Sequence, residues 1–225
     1  MQKTFGFSRS FLKIVAVLSM LCDHIAYLFL DAPVYHTEYL ILRNIGRVSF
    51  VLFSFVLVQG FLSTGNWFKY LGRLFCFAIL SEIPFDLAFG GRFLDLQQQN
   101  VLFTFCIAIL VLAGLLRYEG SFWREAAVVL AGCVLATVLH TDYSYTGILL
   151  CVMFYLFRFQ KEYQTVLAIM LFAAIKGGVG VVAAIPFCYL YLPQKEGIRM
   201  PKYFLYLFYP LHLLLFYGLK MLFVG

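Results

Sequence analysis

Residues Phe11 to Leu30 read FLKIVAVLSMLCDHIAYLFL, an apolar run that carries three ionisable groups, Lys13, Asp23 and His24. About twenty predominantly apolar residues suffice for a helix to cross a bilayer, so the run reads as a membrane span. A charged side chain at the centre of such a span costs roughly 2.5–3.5 kcal/mol on insertion scales. Each of the three therefore needs a partner or a function.

Lys13 and His24 are eleven positions apart, close to three helical turns, which puts them on one face about 16 Å apart along the axis. Val17 and Met20 lie between them. A cation near one membrane surface, an apolar stripe and an imidazole deeper in suit a ligand with an anionic head and a long thin arm, which is the shape of coenzyme A. Plainer readings stand beside this one: Lys13 as a snorkelling topology anchor, His24 as a hydrogen-bonded core histidine. Asp23 points about 100° away from His24 on an ideal helix, so its partner belongs on another helix.

Composition sets the class. Of 225 residues 63% are hydrophobic and 12% charged, with a mean hydropathy of +0.90, a balance no soluble domain of this size shows. The net charge of +6 arises from 17 basic against 11 acidic residues without any basic tract. In a membrane protein that excess reports orientation, not nucleic-acid binding. The six cysteines, Cys22, Cys76, Cys106, Cys133, Cys151 and Cys188, lie in apolar segments without CxxC or Cys/His spacing, so they read as small core residues and no metal site is expected. The first run is too long for a signal peptide and lacks a small-x-small cleavage site, so it stays as an anchor.

Apolar runs recur near 11–30, 45–63, 70–89, 101–116, 123–139, 145–157, 164–175, 179–192 and 203–223. The expected fold is all-α: a polytopic transmembrane helical bundle of about nine helices, eight to ten, in a single domain over 1–225. The runs on either side of Lys176-Gly177-Gly178 also read as one interrupted helix. With nine spans and a cytoplasmic N-terminus, twelve of the seventeen basic residues, Lys3 and Lys202 among them, fall on inner segments and five on outer ones, as the positive-inside rule requires.

That topology gathers polar groups in the outer half. Arg43 and Arg47 stand one turn apart where the second helix is expected to begin. Glu82 and Asp86 share a face at the end of the third, with Pro84 as a kink. Asn100 and Thr104 open the fourth helix, His140 and Asp142 sit in a turn, and Tyr209 and His212 lie near the middle of the last. The structural alternative for Arg43, Arg47, Glu82 and Asp86 is a salt-bridge set that ties helices together; for Tyr209 and His212 it is an interfacial or core pair.

Six segments in order carry a resemblance: Leu12–Ala26 (LKIVAVLSMLCDHIA), Arg43–Phe55 (RNIGRVSFVLFSF), Gln59–Phe89, which ends in SEIPFDLAF, Asn100–Phe105 (NVLFTF), Thr141–Gly147 (TDYSYTG) and Lys202–Leu215 (KYFLYLFYPLHLLL). Together they resemble the TraX family of bacterial membrane proteins over most of the chain. The resemblance implies acetylation of a pilin N-terminal amine and a place in the bacterial cytoplasmic membrane. TraX is also similar to the transmembrane acyltransferases, acyltransferase family 3 and the lysosomal heparan N-acetyltransferases included. Those take an acyl group from coenzyme A in the cytoplasm to an acceptor beyond the membrane. The Arg-x10-His signature of family 3 has Lys13 and His24 at its spacing here; lysine keeps the charge and loses the bidentate fork. Gln59 stands where the TraX pattern has glutamate and receives no acid–base role.

The expected chemistry is then acyl transfer, with acetyl-CoA as donor, its phosphates near Lys13, Lys69 and Arg73, and no metal. His24 acts as general base or as a covalent relay. Asp23, Glu82 or Asp86 orients it, Arg47 or Tyr209 stabilises the oxyanion, and His212 belongs to the same set. The acceptor is an amine or hydroxyl of a pilin subunit, glycan or lipid. The rival classes are a proton-coupled transporter or flippase and a non-enzymatic fimbrial assembly protein.

Overall fold

The computed structural model describes residues 5–176, 178–201 and 203–223; Lys3, Lys202 and Gly177 lie outside them. Among the described residues there are nine α-helices and no strand, only the isolated bridges Phe7–Tyr191 and Gln99–Thr141. The protein is an all-α helical membrane bundle. Arg9–Phe29, Pro33–Ser63 and Phe204–Leu222 are long and apolar enough to cross a membrane by themselves.

The chain forms two compact units, Met1–Val56 with Leu156–Pro201 and Leu57–Tyr155 with Lys202–Gly225. The first holds α1 (Arg9–Phe29), the N-terminal part of α2 (His36–Ser63), α7 (Ala168–Lys176) and α8 (Ile185–Tyr189). Ser8 caps α1 by accepting from the Phe11 N–H at 3.3 Å, satisfying one of the orphan donors of its first turn. The preceding residues are fastened along the chain after α8: the Phe7 N–H donates to the Leu190 carbonyl at 2.7 Å and the Leu192 N–H to the Phe7 carbonyl at 2.9 Å. Leu12, Ala16, Leu52, Phe55 and Ile169 are fully buried in this unit. Phe55 meets Tyr191 edge-on at 5.5 Å.

Two expectations change here. Helix α2 begins at His36, so Arg43 and Arg47 lie two to three turns inside it and not at its start. The weakly apolar and largely exposed HTEYLI stretch hides that beginning, because a hydropathy run marks only the buried part of a helix. The 179–192 run, in turn, is a 3₁₀ segment Val179–Ala184 leading into the five-residue α8, so α7 and α8 form one broken element. Gly178 has φ +154°, and a Cβ on Gly180 would fall on the Asn44 carbonyl. Only glycine allows the backbone to lie this close to α2.

The second unit holds the rest of α2, α3 (Trp67–Phe85), α4 (Val101–Arg117), α5 (Phe122–Val138), α6 (Ser144–Leu156) and α9 (Phe204–Phe223). Asn66 caps α3 through the Lys69 N–H at 2.9 Å, and Asn100 caps α4 through the Leu102 N–H at 3.0 Å. After Pro84, which removes a backbone donor, α3 loosens into a π turn over Asp86–Gly90 and ends at left-handed Gly91. Ile109, Leu112, Ile148, Phe154 and Leu213 are fully buried in this unit.

Candidate functional site

In the first unit, Lys13 and His24 are both half-buried on α1. Arg9, one turn before Lys13, is its electrostatic neighbour and donates from Nε to the Tyr191 hydroxyl at 3.4 Å. Asp23 is paired: Arg43 Nη1 donates to its Oδ2 at 2.6 Å, and the same guanidinium lies 5.6 Å from the Tyr27 ring centroid. The expectation that Asp23 finds its partner on another helix holds, and that partner is Arg43 of α2. A Cβ on Gly46 would collide with Asp23, so the glycine lets α1 approach closely enough to form the ion pair. Arg47, one turn beyond Arg43, lies against Gly178 at the break between α7 and α8. Irregular backbone at membrane depth is tolerated where protein or a polar cavity covers it. An ion pair, a second arginine within its electrostatic reach and unwound chain thus lie together in this unit.

The second unit carries an acidic cluster organised by amides. Glu82 Oε2 accepts from the Asn100 side-chain amide and from the Asn100 N–H, while the same carboxamide donates to the Ala78 carbonyl at 2.9 Å. Glu82 Oε1 is buried and makes no hydrogen bond among the described residues. Asp86, 2% exposed, accepts from the Asp95 N–H at 2.8 Å. The expected alternative of a salt-bridge set made of Arg43, Arg47, Glu82 and Asp86 gives way to these partners: Arg43 is taken by Asp23, and the two acids are held by N–H donors, which bind a carboxylate without a cation to balance it.

Around the Glu82–Asn100 pair, Thr104 donates to the Asp142 carbonyl, and the Tyr209 hydroxyl is hydrogen bonded to the Val101 backbone within electrostatic reach of Glu82 and Asp142. His212 packs in an aromatic sleeve, stacked on Phe208 at 5.1 Å and edge-on to Phe216 at 5.7 Å, with Nδ1 against the Phe208 carbonyl at 2.8 Å. His140 is exposed, whereas the turn it opens is pinned: the Gln99 N–H donates to the His140 carbonyl and the Asp142 N–H to the Gln99 carbonyl. His140, Tyr143 and Ser144 all take positive φ, 50°, 62° and 44°. Three left-handed non-glycine residues within five positions mark a strained turn that the surrounding bonds enforce.

A family model described as TraX protein matches residues 8–220. The chain belongs to the TraX family. A relative of this TraX-family protein, the probable fimbrial assembly protein FimC, serogroup H1, of Dichelobacter nodosus, is 30% identical over 247 aligned positions, covering 98% of this chain and 99% of the relative. No solved structure matches it.

Of the expected site residues, Lys13, Asp23, His24 and Arg47 therefore belong to one unit and Lys69, Arg73, Glu82, Asp86, Tyr209 and His212 to the other. Asn100 is the residue that sequence reasoning left out of the site, since an asparagine before an apolar run reads as a cap and nothing more. A second omission is the pairing of Tyr209 with the backbone of Val101, which joins α9 to the start of α4 and has no signal in the sequence.

Proposed function

We propose that this TraX-family protein is a membrane acyltransferase. It takes acetyl from cytoplasmic acetyl-CoA and delivers it to an amine or hydroxyl beyond the membrane, on a pilin subunit or a surface glycan or lipid. The observation that carries the reading is α1 itself: Lys13 and His24 stand half-buried on one continuous helix, Arg9–Phe29, at the separation of an anionic head and a reactive thioester. The likeness to acyltransferase family 3 supports the same assignment, through the Arg-x10-His spacing that Lys13 and His24 reproduce.

In this mechanism Lys13 and Arg9 attract the phosphates, and His24 removes the acceptor's proton as it attacks the thioester carbonyl. The new N–C or O–C bond forms, the C–S bond breaks, and coenzyme A leaves as the thiol. General base catalysis of this kind contributes on the order of 10²–10⁴ in rate. Asp23, tied to Arg43, fixes the register of α1 against α2 and so holds His24. Arg47, beside the unwound chain at Gly178, supplies a cation for the developing oxyanion.

The name of the Dichelobacter relative favours a second reading, a fimbrial assembly protein without an acyl-transfer step. Transfer of radiolabel from acetyl-CoA separates the two. Wild type is expected to incorporate label into membrane or surface material, and His24→Ala, at matched folded yield, to lose at least 10²-fold of it. Absence of acetyl-CoA consumption by wild type refutes the acyltransferase, and fimbriation of a His24→Ala strain then tests the assembly role.

A further inference from the structure

In the second unit, α3 and α5 both pack on α4 and leave a groove of about 360 Å³ between them. The face of α4 from Phe103 to Leu110 is its floor, Phe68, Gly72 and Phe75 of α3 stand along one wall, and the end of α5 with Leu139 forms the other. Apart from Gly72 and the Cys106 thiol the lining is aliphatic and aromatic. Along the rim, Phe68, Phe75, Leu110 and Leu139 are all exposed.

Gly72 is inside a helix, where alanine would serve the backbone better. A Cβ on it would meet nothing within 4 Å, so no close helix approach requires the glycine. Its effect is to keep the groove open.

Size and charge choose the occupant. From Phe103 to Leu110 the floor rises about 10 Å, so 360 Å³ leaves a cross-section of about 35 Å². A helix 10–12 Å across presents about 80–110 Å² and does not enter, whereas an extended hydrocarbon chain does. The length is also most of one leaflet, about 15 Å as half of a hydrocarbon core about 30 Å thick. The two ends differ in charge. Beside Phe68 stands Lys69, exposed and without an ion pair among the described residues. At the other end Leu139 runs into His140–Tyr143, which holds Asp142 and no lysine or arginine. A lipid chain in the groove therefore finds a cation for its headgroup at the Lys69 end.

We infer that this groove binds one acyl chain of an anionic glycerophospholipid, with the phosphate on Lys69. The site does not depend on the acyl-transfer reading, and its failure leaves that reading untouched.

Native mass spectrometry of the purified full chain tests it, with titrations of phosphatidylglycerol, phosphatidylethanolamine and the chain-free headgroup glycerophosphoglycerol. Wild type is expected to bind phosphatidylglycerol about fivefold more tightly than phosphatidylethanolamine, the gain that one lysine near a surface gives an anionic lipid. The chain-free headgroup should bind at least tenfold more weakly than phosphatidylglycerol. Gly72→Leu, which fills the groove with a better helix former, is expected to weaken phosphatidylglycerol at least tenfold. Gly218→Leu, the same change on α9 where a Cβ also meets open space, should bind as wild type does. Lys69→Gln, an exposed change that leaves the core alone, should bring phosphatidylglycerol down to phosphatidylethanolamine and leave the latter unchanged. Equal affinity in wild type and Gly72→Leu, equal losses in the two leucine variants, or phosphatidylglycerol bound no more tightly than either competitor overturns the site. A wild-type dimer that Gly72→Leu dissociates also overturns it and gives the groove to a second copy of the chain.

Discussion

Asp23 brings a carboxylate into a membrane helix, and what makes this tolerable is the guanidinium of Arg43, 2.6 Å away, with Arg47 as a second cation within electrostatic reach. Removing Arg43 takes the directly bonded counter-charge from the acid in a poorly hydrated place and leaves only the more distant Arg47. The pair keeps some exposure, 29% and 19% of the two side chains, so Arg43→Ala is expected to cost about 2 kcal/mol, below the roughly 3–5 of a fully buried pair. Asp23→Asn in the same chain should recover part of that loss, because the amide no longer demands a cation. Denaturant-induced unfolding of the two single variants and the double variant in detergent measures the coupling; strictly additive effects would mean that the contact contributes nothing. That Asp23 needed a partner on another helix was legible from one angle of rotation on α1. That the partner is Arg43 was not, because it depends on the close approach permitted by Gly46, which no local pattern announces.

Helix starts show the same division. Asn100 before an apolar run is readable as a cap of α4, and it is one. Its second duty, holding Glu82 of α3 with both its side-chain amide and its backbone N–H, joins residues 18 apart and leaves no trace in sequence periodicity. Asn100→Ala should therefore cost more than a cap. About 1 kcal/mol goes with the cap, and about 1–3 more with the side-chain donor that Glu82 loses, the backbone N–H of residue 100 being kept. Glu82→Gln alone is expected to stay within about 1 kcal/mol of wild type, since the amide oxygen still accepts from Asn100. Combined with Asn100→Ala it should restore part of the loss. A thermal melt that shows Asn100→Ala no worse than an ordinary cap deletion contradicts the pairing. The broken element after α7 offers a parallel test. The glycines flag it in the sequence, but only the structure shows why they are there: Gly180 lies on the Asn44 carbonyl. Gly180→Ala is expected to destabilise by about 1–3 kcal/mol as the backbone is pushed off α2, whereas Gly65→Ala, with open space around it, should change stability little.

At the scale of the whole molecule, the nine apolar runs were enough to give the class and nearly all the helices, because length and hydropathy are what a bilayer selects for. The grouping of charges was not available from them. The salt-bridge set that the sequence offered as the structural alternative is not what the described residues form: one acid is neutralised by arginine and two others are held by N–H groups. Orientation, however, follows from charge and remains open to a direct test. The six cysteines are all free, so they can be replaced before single cysteines are introduced at exposed loop positions. With the N-terminus in the cytoplasm, Gln97→Cys and His140→Cys should react with a membrane-impermeant maleimide on intact cells. Glu119→Cys and Gln160→Cys should react only after permeabilisation. All four positions are exposed, so failure to label reports sidedness and not burial. The donor reading depends on this outcome: Arg9 and Lys13 must open to the cytoplasm, where acetyl-CoA is found. A reversed pattern would put the basic end of α1 outside the cell and leave the proposed phosphate contacts with nothing to bind.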